Sequence, residues 1–100
     1  MIKVIIEKQN NQYKKISILG HAMYDDYGKD IVCSAASSIV TTTINGILRI
    51  KDGSLSYLVD NEGVNIVINS TDEVVQILIH NMVSLLIELE GNYPKNIQVK

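Results

Sequence analysis

The chain is poor in the residues that mark secreted and metal-binding proteins. Its 100 residues include one cysteine, one proline and two histidines, and neither tryptophan nor phenylalanine. One cysteine cannot form a disulfide within the chain, which favours a reducing cytoplasm. One cysteine and two histidines without close pairing do not make a zinc set, so we expect no metal and no cofactor.

The sequence also lacks the usual signals for a membrane or for export. No apolar run approaches the roughly 20 residues that are needed to span a bilayer. The first residues, Met1-Ile2-Lys3-Val4, are without the basic head and apolar stretch of a signal peptide. We therefore expect a cytoplasmic protein that does not contact a membrane.

Positive charge is sparse and scattered. The nine lysines and arginines are spread from Lys3 to Lys100, and the net charge is −2. Because no basic stripe is available for phosphates, direct nucleic-acid binding is not expected. Hydrophobic residues make up 46% of the chain and supply one modest core. Residues 1–100 are therefore predicted to form a single domain.

Apolar residues alternate with polar ones in the two segments where we predict β-hairpins. The first hairpin pairs residues 2–7 with 13–19 around a turn at 9–12. A helix is predicted over 31–50, with Asp30 as its N-cap. The second hairpin pairs residues 55–59 with 64–68 around a turn at 60–63.

A second helix is predicted from a capping box formed by Ser70 and Glu73 to about Glu90. Its predicted buried stripe consists of Val75, Leu78, Met82, Leu85 and Leu89. A short final strand over 97–99 completes the order β-β-α-β-β-α-β. Hairpins alternating with helices predict an α+β fold, a two-layer sandwich with a mainly antiparallel sheet and both helices on one side.

The segment 20–37 holds the only cysteine, Cys33, and one of the two histidines, His21. A loop predicted over 20–30 separates them, so the two side chains can meet in space. Imidazole and thiol together are the minimum equipment for thiol-based acyl transfer. With Asp30 as N-cap, Cys33 would lie in the first helical turn, where unpaired amides stabilise a thiolate.

Plainer interpretations stay open for these residues. Cys33 can be a small buried hydrophobe, since free cysteine is among the most buried residue types. His21 can be a strand-end histidine bonded to a nearby carbonyl. His80 is a weaker candidate for the base, because it falls on a polar stripe with Glu73 and Gln76 that is typical of a solvated helix face.

The motif Gly20-His21-Ala22, followed by Gly28 and by the run from Asp30 to Ser37 (Asp-Ile-Val-Cys-Ser-Ala-Ala-Ser), resembles the ribosomal-processing cysteine protease family, Prp. The resemblance covers essentially the whole chain in length, element order and motif position. It implies that Cys33 is the nucleophile and His21 the general base and acid. It implies supporting roles for Asp30 and Ser37 with less weight. The backbone amide of Ser34, near the predicted helix start, is a candidate to hold the oxyanion.

The resemblance also implies a substrate and an assembly. Family members remove a short N-terminal extension from a large-subunit ribosomal protein of the L27 type, and they form homodimers. The segment 22–29 resembles the family's mobile substrate loop, which here consists mainly of Met23, Tyr24, Asp25, Asp26, Tyr27 and Gly28. Met23 stands where a glycine is common, and the aspartate pair is this chain's own, so its fine specificity is open.

Two rival functions are compatible with the same residues. A non-catalytic ribosome-assembly module would bind the same peptide with Cys33 as a structural residue. A redox sensor would need a resolving cysteine beside an exposed thiol. The chain has no second cysteine, so only an intermolecular disulfide could serve that role.

Overall fold

The computed structural model describes residues 1–20 and 27–100, and the side chains of 27–30 are outside this description. The elements are β1 (Ile2–Gln9), β2 (Gln12–Leu19), α1 (Tyr27–Ile50), β3 (Leu55–Asp60), β4 (Gly63–Ile68), α2 (Glu73–Asn92) and β5 (Ile97–Val99). The predicted order of strands and helices is confirmed, including the short last strand.

The strands form one five-stranded sheet in the order β3-β4-β2-β1-β5. The β1–β2, β2–β4 and β3–β4 pairs are antiparallel, and only β5 joins β1 in parallel. Each hairpin begins at the residue that the sequence predicts, Ile2 for the first and Leu55 for the second. At the first turn Asn10 and Asn11 both have positive φ, which is the conformation that two-residue hairpin loops require.

The core lies between the sheet and the two helices. Val4, Ile18 and Val64 follow one another across β1, β2 and β4 in direct register, so their side chains share a face of the sheet. On the opposite face Ile5 and Val67 are exposed. The two helices therefore cover one face only, and the predicted two-layer α+β sandwich is confirmed.

Helix α1 begins earlier than the sequence predicts. Its first residue is Tyr27, so Asp30 lies inside the helix and the prediction that it is the N-cap is wrong. Cys33 is then six residues, about 9 Å, beyond the helix start. Because the macrodipole effect falls off within the first turn, the proposed stabilisation of a thiolate by free first-turn amides loses its basis.

The cap of α2 also differs from the prediction. Asp72, not Ser70, is the N-cap, and its carboxylate accepts the backbone amides of Val74 and Val75. Ser70 lies two residues further out, where its hydroxyl oxygen accepts the amide of Asp72 at 3.0 Å. Aspartate binds the free amides at least as well as serine and adds a favourable charge at the helix start, which explains the outcome.

The buried stripe of α2 is rotated relative to the predicted one. The fully buried residues are Val75, Ile79, Met82, Val83 and Leu86. Leu78 and Leu89 pack at the edge of the core, whereas Leu85 is exposed and its predicted burial is wrong. By length and composition alone both helices could cross a membrane. Each packs its buried face on the sheet, so we treat them as the helix layer of the domain.

Candidate active site

Cys33 lies in α1 on the side that faces the sheet. Its side chain is partly buried and packs against the hydrophobic core. Its neighbours Val32 and Ala36 are buried, so the helix register on either side of the thiol is set by core packing. A side chain on a rigid element is held more precisely than one on a loop.

The partly buried Cys33 is one of the residues that line an open cavity of about 420 Å³. The helix contributes Cys33, Ala36, Ser37, Val40 and Thr41, and the sheet contributes Ile2, Ile18, Leu19 and Val64. Ser37 and Thr41 are the only hydroxyl side chains among these residues. The lining is therefore mainly apolar and suits an apolar group next to the thiol.

The end of β2 reaches this cavity at Leu19 and is fixed by Gly20. The amide of Gly20 donates to the carbonyl of Glu62 at 3.0 Å, and its φ is +82°. A Cβ at this position would overlap the backbone carbonyl oxygen of Met1. Only glycine satisfies both requirements, and His21 is the next residue in the sequence.

Comparison with known proteins shows which family this chain belongs to. A family model described as cysteine protease Prp matches residues 1–98. The chain belongs to the Prp family of cysteine proteases. The ribosomal processing cysteine protease Prp of Staphylococcus aureus is 30% identical over 83 residues, which are 80% of this chain and 78% of that protein.

Two solved structures of Prp from Staphylococcus aureus share the fold over 100% of this chain and 98% of theirs. One is in complex with a substrate peptide and superposes with a TM-score of 0.89 at 24% identity. The other carries a covalently linked product peptide and superposes with a TM-score of 0.87 at 25% identity. Membership in the Prp family confirms the predicted class of enzyme, a cysteine protease.

Several residues that the sequence singled out are outside the described part of this Prp-family chain. These are His21, Met23, Tyr24, Asp25 and Asp26. Tyr27, Gly28 and Asp30 lie in the first turns of α1, where only the backbone is described. Their predicted roles, including the contact between His21 and Cys33, stay predictions.

The two supporting serines differ in their placement. Ser37 is exposed but lies one helical turn beyond Cys33 and lines the same cavity; its supporting role stays a prediction. Ser34 is also exposed, but it is not among the described residues that line this cavity. Its amide lies in the second turn of α1, where helical amides bond to carbonyls four residues earlier. The idea that this amide holds an oxyanion depended on a later helix start and loses its basis.

His80, the weaker candidate for the base, belongs to another part of the molecule. Its Nδ1 lies 2.6 Å from the hydroxyl oxygen of the buried Tyr13. Tyr13 pairs with Lys8 in the first hairpin, whereas Cys33 shares its cavity with Ile2. Six residues of a strand separate Lys8 from Ile2, about 20 Å. His80 is therefore a hydrogen-bond partner of Tyr13 and not of the thiol.

Gln76 shows that the polar stripe of α2 is structural as well as solvated. Its side-chain oxygen accepts the amide of Tyr13 at 2.8 Å, and its side-chain nitrogen donates to the carbonyls of Tyr13 and Ser70. The stripe thus ties α2 to the start of β2. In residues 1–20 and 27–100 no group of three or more histidine, cysteine or acidic side chains could hold a metal ion.

The apolar part of the site was not predicted from the sequence. Ile18, Leu19, Val40 and Val64 line the thiol cavity but come from three separate elements. Alternation in β2 and β4 does mark Ile18 and Val64 as inward-facing. It does not show which end of the sheet meets Cys33, because that depends on the strand order.

Proposed function

We propose that this protein is a cytoplasmic cysteine endopeptidase, active as a homodimer, that removes the N-terminal extension of a large-subunit ribosomal protein of the L27 type. The observation that carries the proposal is the partly buried thiol of Cys33 at the edge of a mainly apolar cavity. The Prp relative from Staphylococcus aureus is named a ribosomal processing protease. A similar solved structure with a covalently linked product peptide supports covalent catalysis.

The proposed mechanism uses a dyad of His21 and Cys33. The imidazole of His21 takes the proton of the thiol, and the thiolate attacks the scissile carbonyl carbon. As the tetrahedral intermediate collapses, the imidazolium gives its proton to the leaving amine, and a thioester remains on Cys33. A water molecule deprotonated by His21 then attacks the thioester, releases the carboxylic acid end and restores the thiol.

In the proposed mechanism, His21 supplies most of the activation of the Cys33 thiol. Because Cys33 lies beyond the first turn of the helix, the helix dipole contributes little to its ionisation. A neighbouring imidazole is the usual alternative for lowering the cost of forming a thiolate. The fixed end of β2 at Gly20, whose neighbour Leu19 lines the thiol cavity, supports this assignment, because His21 follows Gly20 directly.

A cleavage assay tests the proposal. The same organism's precursor ribosomal protein is incubated with wild type, Cys33→Ala, His21→Ala and His80→Ala, and product masses are read. We expect wild type and His80→Ala to remove an N-terminal peptide and the other two variants to leave the precursor intact. His80→Ala is the matched control, since it removes the second histidine from a different site.

The outcomes separate the proposed function from its rivals. An intact precursor that binds wild type and Cys33→Ala equally would indicate the non-catalytic module. Normal cleavage by His21→Ala would exclude the dyad. Sedimentation equilibrium on the wild type tests the homodimer, and a single species of 11.1 kDa, the mass of one chain, would contradict it.

A further inference from the structure

Strand β3 presents apolar side chains on its helix-facing side that the helices do not cover. Val59 pairs with Val64, and Tyr57 pairs with the fully buried Ile66, so both share the core face of the sheet. Nevertheless, 60% of Val59 and 49% of Tyr57 are exposed. The helix layer therefore stops short of the edge strand and leaves an apolar ledge there.

This ledge is one wall of a second open cavity, of about 370 Å³, between α1 and β3. Val40, Thr41 and Val64 line both this cavity and the one that holds Cys33. The two cavities therefore lie side by side and share a wall. We call the pair the α1 groove, which extends from Cys33 to Tyr57 and Val59.

The length of the groove matches a segment of extended peptide. Its helix wall runs from Cys33 to Asn45, which is twelve residues or about 18 Å of helix. An extended peptide rises about 3.3 Å per residue, so about five residues reach from the thiol to the far end. The described lining of both cavities contains no charged side chain, so the groove suits apolar residues.

We propose that the α1 groove is an extended substrate subsite, in which Tyr57 and Val59 bind an apolar side chain of the peptide four or five residues from the cleaved bond. The wall that this cavity shares with the cavity of Cys33, formed by Val40, Thr41 and Val64, is the reason for choosing a substrate peptide as its occupant. The inference rests on the proposed protease function and adds a remote determinant of specificity to it. Remote contacts of this kind raise the efficiency of cleavage without touching the reacting atoms.

The test compares two neighbouring substitutions on β3 with two peptides. Val59→Asp places a charge in the groove, and the matched control Leu58→Asp places the same charge on the opposite face of the same strand, at a residue that is 65% exposed. Both changes put aspartate into an edge strand, so they share that cost to folding. Val59→Thr, which keeps the shape of the side chain, is the milder second variant.

The peptides are synthetic segments of the same organism's precursor, one with eight residues and one with three residues on each side of the cleavage site. For the long peptide we expect Val59→Asp to lower kcat/KM roughly tenfold, a size common for one pocket contact, and Val59→Thr to lower it less. For the short peptide neither should change it. Leu58→Asp should match wild type with both peptides.

Three results would overturn the inference. Wild-type efficiency of Val59→Asp on the long peptide would show that the ledge is not used. An equal loss in Val59→Asp and Leu58→Asp would show that the β3 edge acts as a whole, for example by pairing with a second copy of the chain. If wild type cleaves neither peptide, the proposed function fails and the subsite with it, whereas cleavage of both peptides retains the function.

Discussion

Replacement of Gly20 by alanine tests how the end of β2 is held beside the thiol cavity. Gly20 has a φ of +82°, a conformation that costs an L-residue about 1–2 kcal/mol. In addition, the new Cβ would overlap the carbonyl oxygen of Met1. The backbone at the end of β2 or at the start of β1 would have to shift, and overpacking of this kind costs about 1–3 kcal/mol. The free energy of unfolding should therefore fall by about 2–5 kcal/mol.

Two other glycines serve as matched controls for the two parts of this cost. Gly53 has nearly the same φ, +83°, but the methyl group of an alanine there would meet no atom within 4 Å. Gly53→Ala should therefore lower the free energy of unfolding only by the cost of the positive φ, about 1–2 kcal/mol. Gly46 lies inside α1 and also has open space around it. There alanine should stabilise the helix by about 0.5–1 kcal/mol.

Urea unfolding followed by circular dichroism measures all three variants, and the cleavage assay is run on the folded proteins. We expect stability to rank Gly46→Ala, wild type, Gly53→Ala and Gly20→Ala from highest to lowest. Cleavage should fall in Gly20→Ala, because His21 follows it, and persist in Gly53→Ala. Equal losses of stability in Gly20→Ala and Gly53→Ala would refute the argument that Met1 leaves no room for a side chain.

Two further predictions concern α2. The backbone amide of Val75 holds the pKa of Asp72 below its ordinary value. The ionised carboxylate therefore stabilises the fold at pH values above the ordinary pKa, and this stabilisation is lost as pH falls through the lower pKa of the folded state. The difference in thermal midpoint between wild type and Asp72→Asn should shrink from pH 7 to pH 3, and a constant difference would contradict this cap. The buried Leu86 and the exposed Leu85 should respond differently to alanine in urea titrations. Leu86→Ala should lower the free energy of unfolding by about 2–5 kcal/mol, and Leu85→Ala should lower it by under about 1 kcal/mol. Equal costs would contradict the observed orientation of the helix.

Hairpins and strand faces could be predicted from the sequence because they depend on local patterns. Alternation of apolar residues marks Ile16, Ile18 and Ile66 as inward-facing, and all three are buried. Asn10 and Asn11 are residues that tolerate positive φ, and the first turn lies there. The parallel pairing of β5 with β1 follows from no local signal, since it joins the two ends of the chain.

Helix boundaries and orientation could not be predicted as well, for two physical reasons. Aspartate is favourable both as an N-cap and within the first turn, so Asp30 does not distinguish a helix that starts at 31 from one that starts at Tyr27. In α2, Leu85 and Leu86 are adjacent and equally apolar. Which one is buried depends on how the helix packs against the sheet, which the helical period alone leaves open.

The chemistry of the site was predictable only in part. The motif around Cys33 predicts it as the nucleophile, because its residue types and spacing resemble those of a protease family. The groove beyond it is assembled from side chains that are distant in sequence, such as Val40, Val59 and Val64. No spacing rule connects them, because strand order decides which of them face α1.

The most direct measurement of the central claim is the mass of the enzyme during turnover. Wild type is mixed with the precursor peptide, quenched in acid within the first turnovers and analysed intact and after digestion. We predict an adduct that equals the N-terminal fragment minus one water, mapped to Cys33 and absent from Cys33→Ala. Cleavage by Cys33→Ala at the wild-type rate, or an adduct on another residue, would contradict the assignment of Cys33 as the nucleophile.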